Sequence, residues 1–443
     1  MTSLRLITLE SFDSESPFFK WVSPTLRKMG WAVWPIPSVT LYRLLGIQTY
    51  RALIVNLVKE IRPQILLLTP PYDYLDLKTA SEIKKLGVII WGYGFDEQDY
   101  CQLGKPDNLR HNSKIFDLWT TSVLNGKSRD YGARPICWAT CKESLLIDDQ
   151  SAPASPIVFF GRKTRERELL VETLRKSTIV LSFGQGWTPT ALSRASRLGL
   201  IRRAECTIVA NDTQISTPLT MVECAMLGKA QIVEETPHMN CYWETGVKVP
   251  TYDANSINLE QLNATRTTKI WKTPPTWNEL WPNLTDTFQF SPKTLFITSP
   301  TYDMLMNILT NHYLGISDYT TLLECLETWA KLSPLCAEPQ VKLSQCAFIL
   351  EKYEKVLEHS HQAKEILENN VAPNSPYTVT SFPPIIKVVA MRIRALLLLK
   401  REPDIYKEIE TMPLLTKQNV LNEIRTELEI SKQVGLIDAL KSN

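Results

Sequence analysis

Residues 211–233 read NDTQISTPLTMVECAMLGKAQIV. A polar stretch gives way to Met221, Val222, Ala225, Met226 and Leu227, apolar residues at helical spacing. Thr217 or Thr220 is placed to cap the start of this helix, and Pro218 is tolerated near a first turn. Gly228 fits the left-handed residue that commonly follows a helix. Residues 230–233 then read as a buried strand. A short helix running at once into an apolar strand is the repeating element of an α/β fold. Glu223 is the charged residue that this helix carries.

The same alternation extends outward in both directions. Residues 157–160, 178–183 and 206–210 read as strands, with helical patterns over 169–174 and 192–198. Upstream, a Pro/Ser/Ala-rich linker (DDQSAPASP, residues 148–156) separates a second set. Its strands fall at 4–9, 31–36, 64–68, 88–91, 117–121 and 134–139, and its helical patterns at 18–29, 42–61 and 77–86. The run at 64–68 is almost wholly apolar, as in a strand of a parallel sheet covered on both faces. The alternation predicts an α/β fold class with two Rossmann-like domains, at residues 1–150 and 151–298. Residues 299–443 form an all-α module, with helices at 302–314, 319–332, 341–359, 361–369, 385–400, 404–411 and 418–433. Ile386, Val389, Ile393, Leu396 and Leu397 trace one apolar face of it. Residues 255–300 have little periodicity and read as a connection packing Trp271, Trp277 and Trp281 between domains.

In open parallel sheets, ligands sit beyond the carboxyl ends of the strands. Gly161-Arg162 directly follows the 157–160 strand, with Lys163, Arg165 and Arg167 behind it. A glycine lets a phosphate approach, a helix start offers free N–H groups, and guanidinium groups bind phosphate in a bidentate way. Cations at a helix start oppose its dipole, so they favour a bound anion there. Gly184-Gln185-Gly186-Trp187 follows the next strand and offers an aromatic ring to a nucleobase. His238, in the loop after the 230–233 strand, either faces a leaving phosphate or is solvated. In the first domain the loops gather Asp13, Glu15, Asp73, Asp96 and Glu97. A carboxylate there can take the proton of an acceptor hydroxyl. Asp96, beside Gly92 and Gly94, is the first choice and Asp13 the second, although the ordinary reading of each single acid is a solvated loop residue or a helix cap.

The string from Met221 to Lys229 resembles the nucleotide-sugar motif of GT-B glycosyltransferases, and the order of the two sheet domains resembles the subgroup related to spore-maturation glycosyltransferases. The resemblance recurs at Gly161, Arg162 and Arg167, where family members hold the donor diphosphate. It implies that the two sheet domains face a cleft and that Glu223 binds the donor ribose hydroxyls, with Thr220 and Gly186 alongside. It further implies a hexosyltransferase-like enzyme whose donor is a UDP- or GDP-sugar and which needs no metal, its cations being protein-borne. One departure is Ile215, where retaining members often carry another Glu, so inverting and retaining outcomes both stay open. The C-terminal helices resemble tetratricopeptide-type repeats without a clean period. Such a module binds a partner, braces its neighbour or supports a homo-oligomer.

The bulk numbers exclude several classes. At 443 residues the chain is too long for one ordinary domain. Apolar content of 44% and charged content of 22% describe a soluble globular protein, and a net charge of +2 sets up no dominant field. The start, MTSLRLITLE, does not read as a signal peptide, and Arg392 and Arg394 interrupt the most apolar helix, so no membrane span is expected. Nine scattered cysteines point to reduced thiols and a cytoplasmic location, and Cys137 with Cys141 lacks a second metal-ligand pair. No dinucleotide fingerprint follows the first strand. The expected acceptor is a macromolecule, either a protein or a modified DNA base. DNA would need a local basic face such as Arg194, Arg197, Arg202 and Arg203. The alternatives are a non-catalytic GT-B-like scaffold binding a partner through its helical tail, and a phosphorylase-like or epimerase-like reaction.

Overall fold

The computed structural model describes residues 2–10, 22–69, 74–94, 106–121, 130–135, 149–188, 192–210, 219–234, 251–252, 276–290, 293–294, 299–368, 384–412 and 414–430. Trp271, Thr217, Cys137 and Cys141 lie outside them. The chain divides into two compact units, Met1–Val39 with Arg62–Leu295, and Thr40–Ile61 with Phe296–Asn443.

The first unit holds two parallel sheets. One is built from β1 (Thr2–Glu10), β2 (Trp31–Pro37), β3 (Ile65–Leu68), β4 (Ile89–Gly94), β5 (Leu118–Thr121) and β6 (Arg134–Pro135). These run parallel in the order β2-β1-β3-β4-β5-β6. Every residue of β3 is buried, as its unbroken apolar run requires. Helices α1 (Ser23–Lys28), α4 (Leu77–Lys84) and α5 (Pro106–Ile115) lie between its strands in the chain. The core on one face is aromatic. Trp31, Trp91, Trp277 and Trp281 cluster with Leu6, Leu26 and Leu67. The Trp281 ring stands edge-on to Trp31 at 5.2 Å and lies 5.0 Å from Trp91. Each such ring removes a large apolar area from water, worth about 2–3 kcal/mol on burial.

The second sheet comprises β7 (Ser155–Phe160), β8 (Val180–Phe183), β9 (Ala204–Val209), β10 (Gln231–Glu234) and β11 (Thr251–Tyr252). Its strands are also all parallel, in the order β8-β7-β9-β10-β11. Strand periodicity puts Ile157 and Phe159 on one face and Val158 and Phe160 on the other. Both faces are covered. Leu170, Val171 and Leu174 of α6 (Arg165–Arg175) pack on the first pair. Leu200 and Ile201 of α7 (Arg194–Arg203), with Met221 and Cys224 of α8 (Leu219–Met226), pack on the second. Gly228, at φ +63°, ends the turn after α8 as the sequence requires.

Residues 277–285, read from sequence as part of an irregular connection, instead form α9 (Trp277–Thr285). A capping box starts it, the Glu279 carboxylate accepting from the Thr276 N–H at 2.7 Å. Trp277 and Trp281 of this helix fill the core of the first sheet. β12 (Lys293–Thr294) then pairs antiparallel with the start of β1.

The second unit is helical. The pattern read over 42–61 is two helices, α2 (Ser38–Leu45) and α3 (Ile47–Ile61), broken at Gly46 with φ +75°. Helix α3 packs against α10 (Pro300–Gly315). The Glu60 carboxylate accepts from Ser299 Oγ at 2.6 Å and from the Thr301 N–H at 3.1 Å, so an anion sits at the N-terminus of α10. There follow α11 (Tyr319–Leu332), α12 (Glu338–Ile349), α13 (Tyr353–Glu368), α14 (Pro384–Leu398), α15 (Glu402–Glu410) and α16 (Leu414–Ile430). The pattern read as one helix over 341–359 breaks at Glu351, which takes a left-handed φ of +57°. A half-buried charge cluster joins α13, α14 and α15, with Lys364 and Arg392 both on Glu408 at 2.7 and 3.2 Å. Among the described residues, no helix is long and apolar enough to cross a membrane.

Candidate functional site

The strand orders locate the candidate site. Each sheet reverses its order once, between β1 and β3 in the first and between β7 and β9 in the second. The crevice beyond the carboxyl ends at such a reversal is where open α/β sheets bind ligands. At the second reversal, Phe160 of β7 runs into Gly161 and Val209 of β9 runs into Ala210. The two ends are close-packed. A Cβ at Gly161 would overlap the Cβ of Ala210, so no side chain fits there. The Ala210 N–H donates to the Phe160 carbonyl at 2.8 Å, and the Gly161 N–H donates to the Phe183 carbonyl at 3.0 Å. Gly184, at φ +127°, lies so close to the Gly161 carbonyl that a Cβ would overlap it. The Lys163 N–H donates to the Gln185 carbonyl at 2.8 Å. The Gly161 and Gly184–Gly186 loops therefore stack as one unit, which brings two of the sequence-predicted elements together.

Helix α6 begins at this stack. Thr164 caps it, its hydroxyl accepting from the Arg167 N–H at 3.3 Å. The cations divide into two kinds. Arg162 and Lys163 are exposed. Lys163 pairs with Glu168 and lies 5.3 Å over the Trp187 ring. Arg167 is buried at 7% exposure, one side of its guanidinium donating to the Arg162 carbonyl at 3.0 Å and the other pairing with Glu234 at the end of β10. Arg167 thus ties the Gly161 loop to a neighbouring strand end. Glu234 was not singled out from sequence, although a carboxylate ending an apolar strand is a visible signal.

Glu223 lies one helix away. Its side chain is 0% exposed, and both carboxylate oxygens accept from Arg197 of α7, at 2.9 Å from Nε and 3.1 Å from Nη2. This bidentate pair locks α7 to α8. Next to it, burial pushes the Cys224 thiol far above its ordinary range. Thr220, in the first turn of α8, is half-buried. On α7, Arg203 donates to the carbonyls of Asp149 and Gly199 at 2.9 and 3.0 Å. Ser196 of the same helix donates to the Asp149 carboxylate, which hydrogen bonds from the Ser151 and Ser196 side chains hold below the usual range. Arg197 and Arg203 therefore make inward contacts along this helix.

At the first reversal, β1 ends in Glu10. This carboxylate is buried and accepts from Thr8 Oγ1 at 2.6 Å. The adjacent β3 end is fixed by the Thr69 N–H donating to the Leu9 carbonyl at 3.0 Å. Glu10 was not singled out from sequence, where the strand was read as residues 4–9; a carboxylate directly after that apolar run was the available signal. Asp13, Glu15, Asp73, Asp96, Glu97, Ile215 and His238 lie outside the described residues. No group of three His, Cys, Asp or Glu among the described residues is placed to hold a metal ion.

Comparison of the chain with protein-family models and with curated proteins finds no match.

Proposed function

We propose that the chain is a glycosyltransferase that takes a nucleotide-diphosphate sugar at the carboxyl ends of β7 and β9 and passes the sugar to a macromolecular acceptor. The observation that carries this reading is the close-packed Gly161–Ala210 contact at the order reversal, with the N-terminus of α6 beside it. The exposed Arg162 and Lys163 at the start of α6 suit a diphosphate, and they stabilise the charge that develops on it as the glycosidic bond breaks. Arg167, buried under the loop, positions it through the Arg162 carbonyl. Trp187 offers a ring to the nucleobase. Glu223 anchors the ribose hydroxyls by exchanging one of its hydrogen bonds from Arg197. The acceptor proton goes to a carboxylate at the strand ends of the first sheet, with Asp96 and Asp13 as candidates from sequence and Glu10 from the structure. UDP- and GDP-sugars are the first donors to try. Protein acceptors come before DNA, because Arg197 and Arg203 make inward contacts.

A second reading is a non-catalytic scaffold that binds a partner through its helical unit. The motivating observation is that Glu223 and Arg167 are both buried in internal ion pairs. Thermal shift against UDP, GDP, ADP, CDP and dTDP and their sugars separates the two readings, followed by donor turnover. A ligand at a hundredfold above Kd adds about 2.7 kcal/mol of stability. A selective shift with transfer or donor hydrolysis supports the glycosyltransferase. A selective shift without turnover moves the weight to the scaffold, and no shift with any nucleotide removes the first reading.

A further inference from the structure

The helical unit contains a cavity of about 290 Å³ walled by α10, α11, α12 and α14, at the lower end of the size range of ligand-binding clefts. Its lining has two parts. Leu314, Phe348, Ile349 and Met391 supply apolar surface, and Leu314 and Ile349 are exposed. Lys342 and Arg394 supply two positive charges, and no carboxylate is among the lining residues.

Lys342 is an unusual cation for such a place. Its ammonium donates to three neutral oxygens, Asn307 Oδ1 at 2.7 Å, Thr310 Oγ1 at 3.1 Å and Asn311 Oδ1 at 2.6 Å. These satisfy its hydrogen bonds without offsetting its charge. Burial holds Lys342 below the usual lysine range, and Glu338, the carboxylate acting on it, is itself pushed up by burial. A half-buried charge without a strong counter-charge still carries a desolvation cost, and an anion entering the cavity offsets it. The Asn311 contact is the exposed one of the three, so it is the contact an incoming anion can exchange with.

We propose that this cavity binds a small amphipathic carboxylate, its hydrocarbon body against Leu314, Phe348, Ile349 and Met391 and its head group between Lys342 and Arg394. Two cations with no acid in the lining select an anion over a neutral or cationic head, and the apolar wall selects a chain over a bare inorganic ion.

The test uses the full chain and isothermal titration with octanoate, octanol and octylamine, each below its aggregation threshold. Octanoate binds, octanol binds roughly tenfold more weakly and octylamine shows no heat, because the three share a hydrocarbon body and carry anionic, neutral and cationic head groups. Arg394→Gln narrows the preference for octanoate over octanol, and Lys342→Met narrows it further. Lys342→Met also leaves three acceptors without their donor, so a second variant guards against misfolding. Leu314→Trp fills the mouth of the cavity and leaves the Lys342 contacts in place; it weakens octanoate binding at least tenfold. Equal affinity for octanoate and octanol, no octanoate binding, or binding unchanged in Leu314→Trp overturns the proposal.

Discussion

The first five strands of each sheet in the first unit follow the same order, and the two sheets are held in different ways. In the first, the core is a set of indole rings, with Trp281 of a late helix wedged against Trp31 and Trp91. In the second, mostly aliphatic residues with Phe159 on one face and Phe160 on the other fill the core, and charge is concentrated at the strand ends and the helices beside them, in the Arg167–Glu234 and Arg197–Glu223 pairs. The same topology therefore does not dictate the same site. Ion pairs at a strand end and between the helices beside it fix the geometry of a crevice without filling it, which suits a binding site. A packed aromatic face fixes the sheet and leaves the chemistry to single residues such as Glu10.

The largest effects separate these two modes. Trp281→Ala and Glu223→Ala each lower stability by about 3 kcal/mol, the first by leaving a cavity and the second by emptying a fully buried carboxylate site and taking from the half-buried Arg197 its bidentate hydrogen bonds. Urea unfolding distinguishes the causes. Adding Arg197→Leu to Glu223→Leu recovers most of the loss, because an apolar pair replaces the ionic one. No second substitution that removes a charge rescues Trp281→Ala. If the Glu223 loss is not recovered, the second sheet is not held by that pair.

Next come the glycines at the strands. Gly184→Ala drives a methyl group into the Gly161 backbone at a φ that favours glycine, and costs about 3 kcal/mol. Gly92→Ala, in β4 of the first sheet, meets the Phe116 ring instead, a side chain that can shift, and costs about 1 kcal/mol. Equal losses would show that the loop stack at the second reversal is no more rigid than the interior of the first sheet.

A smaller effect comes from outside both sheets and serves as a control. Asp303, at the start of α10, is buried and accepts from Trp329 Nε1 at 2.7 Å. Burial, with Glu60 nearby, pushes its carboxyl up against hydrogen bonds from Ser333 and Trp329. A raised folded value favours the protonated form on folding, so the penalty is absent below the unfolded range, near about pH 4. It grows as pH rises through the folded value. Asp303→Asn keeps an acceptor for Trp329 and removes the charge. Its gain in melting temperature is therefore absent at pH 4 and largest at pH 8, a slope that neither glycine variant shares.

Much of this architecture was legible in the chain. Apolar runs such as Ile65–Leu68 and the helix–Gly228–strand step set the parallel sheets. Other elements were hidden. Helix Pro106–Ile115 is mostly polar and gives little apolar period, and Trp277–Thr285 contains Pro282, although Thr276 and Glu279 carried its capping signal. The break after Ile349 rests on a left-handed Glu351, which no composition rule marks. At the site, Gly161 could be read from the need for close approach. The partners of Glu223 and Arg167 could not, because they stand 26 and 67 residues away in the chain and meet only once the sheet is assembled. Sequence spacing shows which groups favour an anion; it does not show which of them the fold has already paired.

The most direct test is isothermal titration of UDP and GDP into the intact chain and into Arg162→Ala. Arg162 is exposed, so the substitution leaves stability within about 0.5 kcal/mol. The account predicts that one of the two diphosphates binds the parent protein and that Arg162→Ala, with an unchanged melting temperature, weakens it roughly tenfold through loss of a charge-assisted contact. Binding of neither nucleotide, or equal affinity in the two proteins, would contradict a diphosphate site at the carboxyl ends of β7 and β9.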